Sequence, residues 1–326
     1  MKALMFDHIG LPIDVVELRE TPQPVPGPGE ALIRMSLSPI IPGDALFTQG
    51  LYPEPVRPRF PGETAGNYGA GVIEAVGSGV DLPLGGLVTA THRGLWAQAA
   101  TVPVSKLVSL PHTYRHDLAA EFMNLITAWD LLETARVVRG QWLAVTAGHS
   151  TVALILTQFA RALGVRVLSL VRRKRATPDL RALGAEAVLA LDETSDVRDA
   201  VLEITGGGLH GVVDCVGGPD FAALARALRL GSGVVIYGGF SAEPFSLHNL
   251  DILLNVLEIR SYVYRYFFSP PPPGDEGRIR QILALSEHLD LKVPEAGRYR
   301  LEDFRQAFAN VTSGEQAGRR YFTPNA

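Results

Sequence analysis

The sequence predicts a two-domain α/β chain in which a doubly wound parallel sheet, covered by helices, stands beside a smaller β-rich domain. Three observations carry that expectation. From about Leu118, helical stretches of roughly ten to fifteen residues alternate with short apolar strands, the pattern of a parallel sheet with helices on its faces. The preceding region is dense in Gly and Pro, with short β-like runs between turns. A chain of 326 residues is long enough for two separate cores.

In chain order, β-like runs at 30–37 and 71–76 lie between turn signals such as Pro24-Val25-Pro26-Gly27-Pro28-Gly29. The second region carries apolar strands at 142–146, 165–171, 187–190, 211–215, 233–237 and 258–264. Ser269-Pro270-Pro271-Pro272-Pro273-Gly274 then reads as a stiff extended linker. A helix over 276–289, a short strand near 298–299 and a strand at 320–322 close the chain. Because the parallel sheet is complete by Tyr264, the tail is assigned to the first domain. The expected division is 1–117 with 267–326, and 118–266.

With 47% apolar and 20% charged residues and a formal net charge of −4, the chain carries no electrostatic footprint for nucleic acid or an anionic membrane. His149, Gln158, Arg161 and Arg166 interrupt the longest apolar stretch, which argues against a membrane span. The opening residues carry Asp7 and His8 before any apolar run reaches signal-peptide length, so a cytoplasmic location is expected. Cys215 is the single cysteine. It permits neither an intrachain disulfide nor a zinc site of several thiolates, and reads as a small core residue rather than a nucleophile.

The segment LAVTAGHSTVALILTQFARALGVRVLSLVRRKR, residues 143–175, reads as strand, turn, helix and strand. In a dinucleotide-binding G-x-G-x-x-G turn the glycines serve the bend, the close approach of backbone to pyrophosphate, and helix–strand packing. Those positions here hold Gly148, Ser150 and Ala153. Gly148 is expected to keep the bend and Ser150 to offer a hydroxyl to a phosphate oxygen, beside the amides and partial charge of the helix N-terminus. An acid after the second strand would hold the ribose hydroxyls of NAD. This chain has Arg172-Arg173-Lys174-Arg175, cations suited to a 2′-phosphate, so NADPH is expected. Two later strands end in glycine turns, at Gly217-Gly218 and Gly238-Gly239, on the edge where ligands of open α/β sheets lie.

The segments IIPGDALFTQGLYPEP, PGETAG, GVIEAVGSGV, NLITAWDLL, TAGHSTVA, DCVGG and YGGF resemble the medium-chain dehydrogenase/reductase superfamily over essentially the whole chain. That resemblance implies a Rossmann dinucleotide-binding domain and a β-rich GroES-like catalytic domain. Zinc alcohol dehydrogenases carry a cysteine and a histidine where this chain has Gly43 and Gly62, so a zinc-independent branch is expected. Quinone oxidoreductases are similar in length and in GLYP. Trans-2-enoyl-thioester reductases are similar in more places: Asn124, Thr127, Ala128 and Trp129 match an Asn-x-x-Thr-Ala-aromatic segment, Ser150 matches the serine of their turn, and Leu170-Val171-Arg172 echoes their strand end.

The resemblance implies reduction of an activated carbon–carbon double bond, most closely that of a trans-2-enoyl thioester on CoA or acyl-carrier protein, with hydride from NADPH reaching the β-carbon. Tyr52 matches the residue held to hydrogen-bond or protonate the substrate, a role a neutral phenol suits. Its alternative is a loop aromatic packed on Pro53 and Pro55. Asn124 and Thr127 would touch the nicotinamide or the substrate, and Asp44 and Glu63 would serve the scaffold. The cofactor-binding set is Gly148, His149, Ser150, Thr151, Val152, Arg172, Arg173, Lys174, Val216, Gly217, Tyr237, Gly238, Gly239, Phe240 and Arg319. Tyr262, Tyr264, Tyr266, Phe267 and Phe268 would wall an acyl pocket or join two subunits, because this superfamily commonly dimerises through that edge strand. A quinone or enone reductase and a catalytically silent NADPH-binding relative are the competing readings.

Overall fold

A computed structural model describes residues 1–52, 56–175, 178–267, 269–313 and 317–326. Pro53, Pro55 and Phe268 lie outside the described residues. The chain divides into two compact units, one of 1–123, 266–272 and 295–326, the other of 124–265 and 273–294. Among the described residues, no helix is long and apolar enough to cross a membrane.

The second unit holds a six-stranded sheet in the order Ala187–Ala190, Arg166–Val171, Trp142–Val145, Leu209–Asp214, Leu228–Ile236, Glu258–Ser261, with every pairing parallel. The central strands are buried along almost their whole length, which is why they read as unbroken apolar runs instead of alternating ones. Helices punctuate them with their own start and stop signals. Thr151–Ala162 is capped by Ser150, and Gly164 at φ 73° turns the chain toward the next strand. Val197–Thr205 is capped by Asp196, whose carboxylate accepts from Asp199 N at 2.9 Å, and stops at Gly206 in the left-handed region.

In the first unit the strand Glu30–Pro39 pairs antiparallel with both Tyr68–Val76 and Ala99–Pro103. Gly71 permits the first pairing, because a Cβ there would lie 2.4 Å from the Arg34 carbonyl oxygen. Arg319–Phe322 adds antiparallel to the same long strand, with Tyr321 opposite Pro39, and Glu295–Tyr299 lies parallel beside it. One core of this unit gathers Leu4, Phe6, Phe47, Trp96, Phe304, Phe308 and Phe322. The buried Trp96 ring lies 5.0 Å from Phe322 and 5.5 Å from Phe308.

The structure differs from the expected division at the helix Asp275–His288, which belongs to the second unit. The reason is electrostatic. Asp130, buried in the helix Phe122–Ala135, accepts from Arg278 on that tail helix, from Arg265 Nε at 3.2 Å and from Tyr262 Oη at 2.9 Å. A buried carboxylate is held only where donors satisfy it, and Arg278 is one of them. The Gln158 amide adds a second tie, donating to Lys292 O and accepting from Lys292 N at 2.8 and 2.9 Å.

Candidate active site

The functional candidates divide between the two units. In the second, the chain leaves the strand Trp142–Val145 and turns through Ala147, Gly148 and His149 into the helix Thr151–Ala162. The left-handed residue of this turn is Ala147, at φ 48°, so the bend expected at Gly148 is made one residue earlier. Gly148 serves packing instead: a Cβ there would lie 3.1 Å from both Ser169 Cβ and Val171 Cγ1 on the second strand.

Ser150 Oγ accepts from Ala153 N at 3.3 Å and shares a hydrogen bond with the Tyr237 phenol. This hydroxyl thus caps the helix and ties the turn to Tyr237. What the turn offers an anion is the first-turn backbone of Thr151 and Val152 and the helix's partial positive charge. His149 Nε2 is buried without a hydrogen-bond partner among the described residues, and burial, followed by the charge of Arg175, lowers its pKa below the usual imidazole value. Arg172, Arg173 and Lys174 follow the second strand and are exposed. Lys174 Nζ pairs with Glu193 at 2.6 Å.

At the neighbouring strand end, the buried Asp214 accepts from Thr146 Oγ1 at 2.7 Å and from Gly217 N at 2.8 Å, and Thr146 Oγ1 accepts from Cys215 N at 3.0 Å. Burial pushes the Asp214 carboxyl up. This network joins two strand ends and fixes the Gly217 turn at φ 77°. Sequence reasoning passes over Thr146 and Asp214, although an acid ending an apolar strand is a visible signal. Val216 O accepts from Ser241 N at 2.8 Å. A Cβ on Gly238 would lie 2.7 Å from Cys215 O, whereas one on Gly217 or Gly239 would meet nothing within 4 Å, and Phe240 is exposed. Cys215 is buried, and burial raises its thiol pKa. Asn124 and Thr127 are buried on the helix Phe122–Ala135, where Thr127 shares a hydrogen bond with Tyr262.

An unsatisfied imidazole nitrogen at a helix N-terminus, open glycine turns on the carboxyl edge and exposed guanidinium groups beyond the second strand together fit a phosphorylated dinucleotide.

In the first unit, the helix Pro42–Thr48 begins with Pro42 and Gly43. Asp44 turns back so that its carboxylate accepts from Ile41 N at 2.9 Å, and it also accepts from Asn67 N at 3.1 Å and Asn67 Nδ2 at 2.9 Å. Full burial outweighs these donors and raises the Asp44 pKa to about 7. The Tyr52 hydroxyl reaches in against Gly43, where a Cβ would lie 2.2 Å from Tyr52 Oη. Burial, then the charge of Asp44, pushes the Tyr52 phenol above its ordinary value, so it is a protonated donor at neutral pH. Its ring stands edge-on to Phe267 at 5.4 Å. Both border a cavity of about 230 Å³ shared with Val56, Asn67, Tyr68 and His92.

Gly62 sits at φ 82°, a backbone that disfavours any other residue. Among the described residues no group of three or more His, Cys, Asp or Glu side chains is placed to hold a metal ion. Arg319, expected at the cofactor, is buried in the first unit, where Nε pairs with Glu121 at 2.7 Å and Nη1 donates to Ile40 O at 3.4 Å.

Residues 27–112 match the family described as alcohol dehydrogenase GroES-like domain, and residues 151–272 match zinc-binding dehydrogenase. A mitochondrial enoyl-[acyl-carrier-protein] reductase of Caenorhabditis elegans is 26% identical over 324 residues, spanning 96% of this chain and 92% of the relative. Among solved structures, a Bacillus thuringiensis protein assigned as an NADPH:quinone reductase is 26% identical at a TM-score of 0.87, covering 99% of this chain and 98% of that one. A mycobacterial protein complexed with NADPH is 27% identical at a TM-score of 0.85, covering 99% and 100%.

Proposed function

We propose that this chain, which belongs to the medium-chain dehydrogenase/reductase superfamily, is a zinc-independent, NADPH-dependent reductase of an activated carbon–carbon double bond, with a trans-2-enoyl thioester as its substrate class. The observation that carries the proposal is the Tyr52 phenol, kept protonated by burial and seated in space that any side chain at position 43 would take. NADPH, when bound, supplies the hydride that adds to the β-carbon. Tyr52 donates to the conjugated carbonyl or to the α-carbon as negative charge develops there, and recovers its proton from water. Arg172 and Arg173 hold the 2′-phosphate, the first turn of Thr151–Ala162 holds the pyrophosphate, and Asn124 and Thr127 orient the reacting groups.

Metal independence is supported by Gly43 and Gly62, which have no side chain to coordinate zinc. The partner proposed at the sheet edge is a second copy of this chain. Among the described residues Glu258–Ser261 pairs on one side only, and Leu253, Val256, Ile259 and Val263 around it are 45–69% exposed.

The test is NADPH oxidation against enoyl thioesters, enones and quinones, with Tyr52→Phe beside the parent. Loss of a positioned proton donor costs about 10²–10⁴-fold in kcat. Parental kinetics in Tyr52→Phe on an enoyl thioester would remove the phenol from the chemistry. Quinone reduction is the second reading, favoured by the quinone-reductase structural relative, and it predicts indifference to Tyr52→Phe. Absence of turnover on all three classes would leave a silent NADPH-binding relative.

A further inference from the structure

The chain carries a formal net charge of −4, yet the cavity beside Tyr52 is lined by Arg59, Arg93 and Lys106 and by no carboxylate among the described residues. His92 on the same wall adds no charge, because burial and the neighbouring cations lower its pKa to about 4. Glu63 stands behind this wall, pairing with Arg93 at 3.6 Å and accepting from Arg59 N at 2.7 Å, so it balances at most one of the three cations. Lys106 is half-buried, and burial lowers its pKa.

Arg93 and Lys106, partly buried cations on one concavity that share at most the single carboxylate of Glu63, are better satisfied when an anion joins them. The aromatic rings of Tyr52 and Phe267 line the same cavity. A second hollow of about 360 Å³, which Glu63 also lines, shares Arg59, His92 and Arg93 with the first.

We propose that this pocket selects an anionic substrate, whose oxyanion sits between Lys106 and Arg93 while its unsaturated carbonyl end lies toward Tyr52. The oxyanion is a phosphate, as on the pantetheine arm of a thioester, or a carboxylate on the substrate itself. A charge-assisted contact at this wall selects among substrates that the phenol alone would treat alike. This inference rests on the reading of Tyr52 as donor to an enoyl thioester or enone.

Calorimetric titration of the intact chain with two matched pairs tests it: pantetheine 4′-phosphate against pantetheine, and 4-oxopent-2-enoate against its methyl ester. At least one charged member should bind about tenfold or more tightly than its neutral partner, equivalent to about 1.4 kcal/mol. That ratio should fall toward one in Lys106→Met and in Arg93→Met, survive in Lys106→Arg, and shrink with added salt. Preference for the phosphate identifies the carrier arm as the source; preference for the carboxylate alone identifies an acidic substrate. Equal binding within both pairs by the parent protein would overturn the proposal, as would a preference untouched by both Met variants. If Lys106→Met fails to fold, the parental ratios and Arg93→Met still decide. NADPH oxidation with 4-oxopent-2-enoate, its methyl ester, and the crotonyl thioesters of pantetheine and pantetheine 4′-phosphate, all of which carry a double bond to reduce, keeps the two readings separate. Turnover without charge preference removes the anion site and leaves the reductase, whereas charge-selective binding without turnover does the reverse.

Discussion

Replacing Gly43 with alanine should disable the proposed reaction through Tyr52 while leaving the fold and the cofactor site intact. The new Cβ would lie 2.2 Å from Tyr52 Oη, and real Cβ contacts essentially never fall under 3.0 Å, so the hydroxyl must retreat by nearly an ångström. Gly43 does not adopt a positive φ, and alanine brings no backbone strain. Tyr52 is only half-buried, so its ring can swing by the few degrees required at small cost in stability. A catalytic group misplaced by about 1 Å costs on the order of 10²-fold. The expected result is a fall of about 10–100-fold in kcat/KM, with NADPH affinity and Tm near the parent. The decisive measurement is a double-mutant cycle, read as kcat/KM on the best enoyl substrate. In Tyr52→Phe the clashing oxygen is gone and the nearest ring carbon would stand 3.5 Å from the new Cβ, so Gly43→Ala should then cost almost nothing further. Additive losses, or parental kinetics in Gly43→Ala alone, would refute the placement of this phenol as the donor.

Arg172→Ala with Arg173→Ala should weaken NADPH by about tenfold, the discounted value of exposed charge-assisted contacts, and leave NADH unchanged; equal cofactor affinity in fluorescence titrations of the parent would contradict it. Burial raises the Asp44 pKa from 3.8 to about 7, so between those values the folded state binds more protons than the unfolded, and this group's contribution to stability falls as pH rises through the window. Asp44→Asn should flatten that slope in denaturant titrations, and should also destabilise by about 1–3 kcal/mol, since its amide would face the Ile41 or Asn67 N–H donors. An unchanged pH profile would remove Asp44 as its origin. Ala147→Gly should raise stability by about 0.5–1 kcal/mol, because relief of a left-handed alanine exceeds the entropy cost of glycine; a lower denaturation midpoint would show that Ala147 is held by packing that glycine forfeits.

The strand–helix alternation, the turn before Thr151, the basic strand end and the missing metal ligands at Gly43 and Gly62 are all readable in the sequence. Each depends on local periodicity, on turn chemistry, or on which atoms a residue type possesses. Local signals also place the helix after the proline-rich stretch, but not the unit it joins. That was decided by Asp130, more than a hundred residues away, whose burial requires Arg265 and Arg278. The same limit explains the turn at 147–150. Gly148 looks like the bend because glycine is the usual left-handed residue, but the adjacent strand occupies the space a side chain would need, and Ala147 takes the bend instead. Ser150 looks like a phosphate ligand in the sequence, and only the fold shows its hydroxyl shared with Tyr237, which follows the strand Leu228–Ile236. The pocket cations Arg59, Arg93 and Lys106 are scattered in an acidic chain, and the closeness of Gly43 to the Tyr52 hydroxyl has no trace in sequence spacing. Residue types and local order set which chemistries are available to this protein. Only tertiary packing, which brings distant side chains within ångströms and removes them from water, decided which of those groups pair with one another and which stand open to solvent.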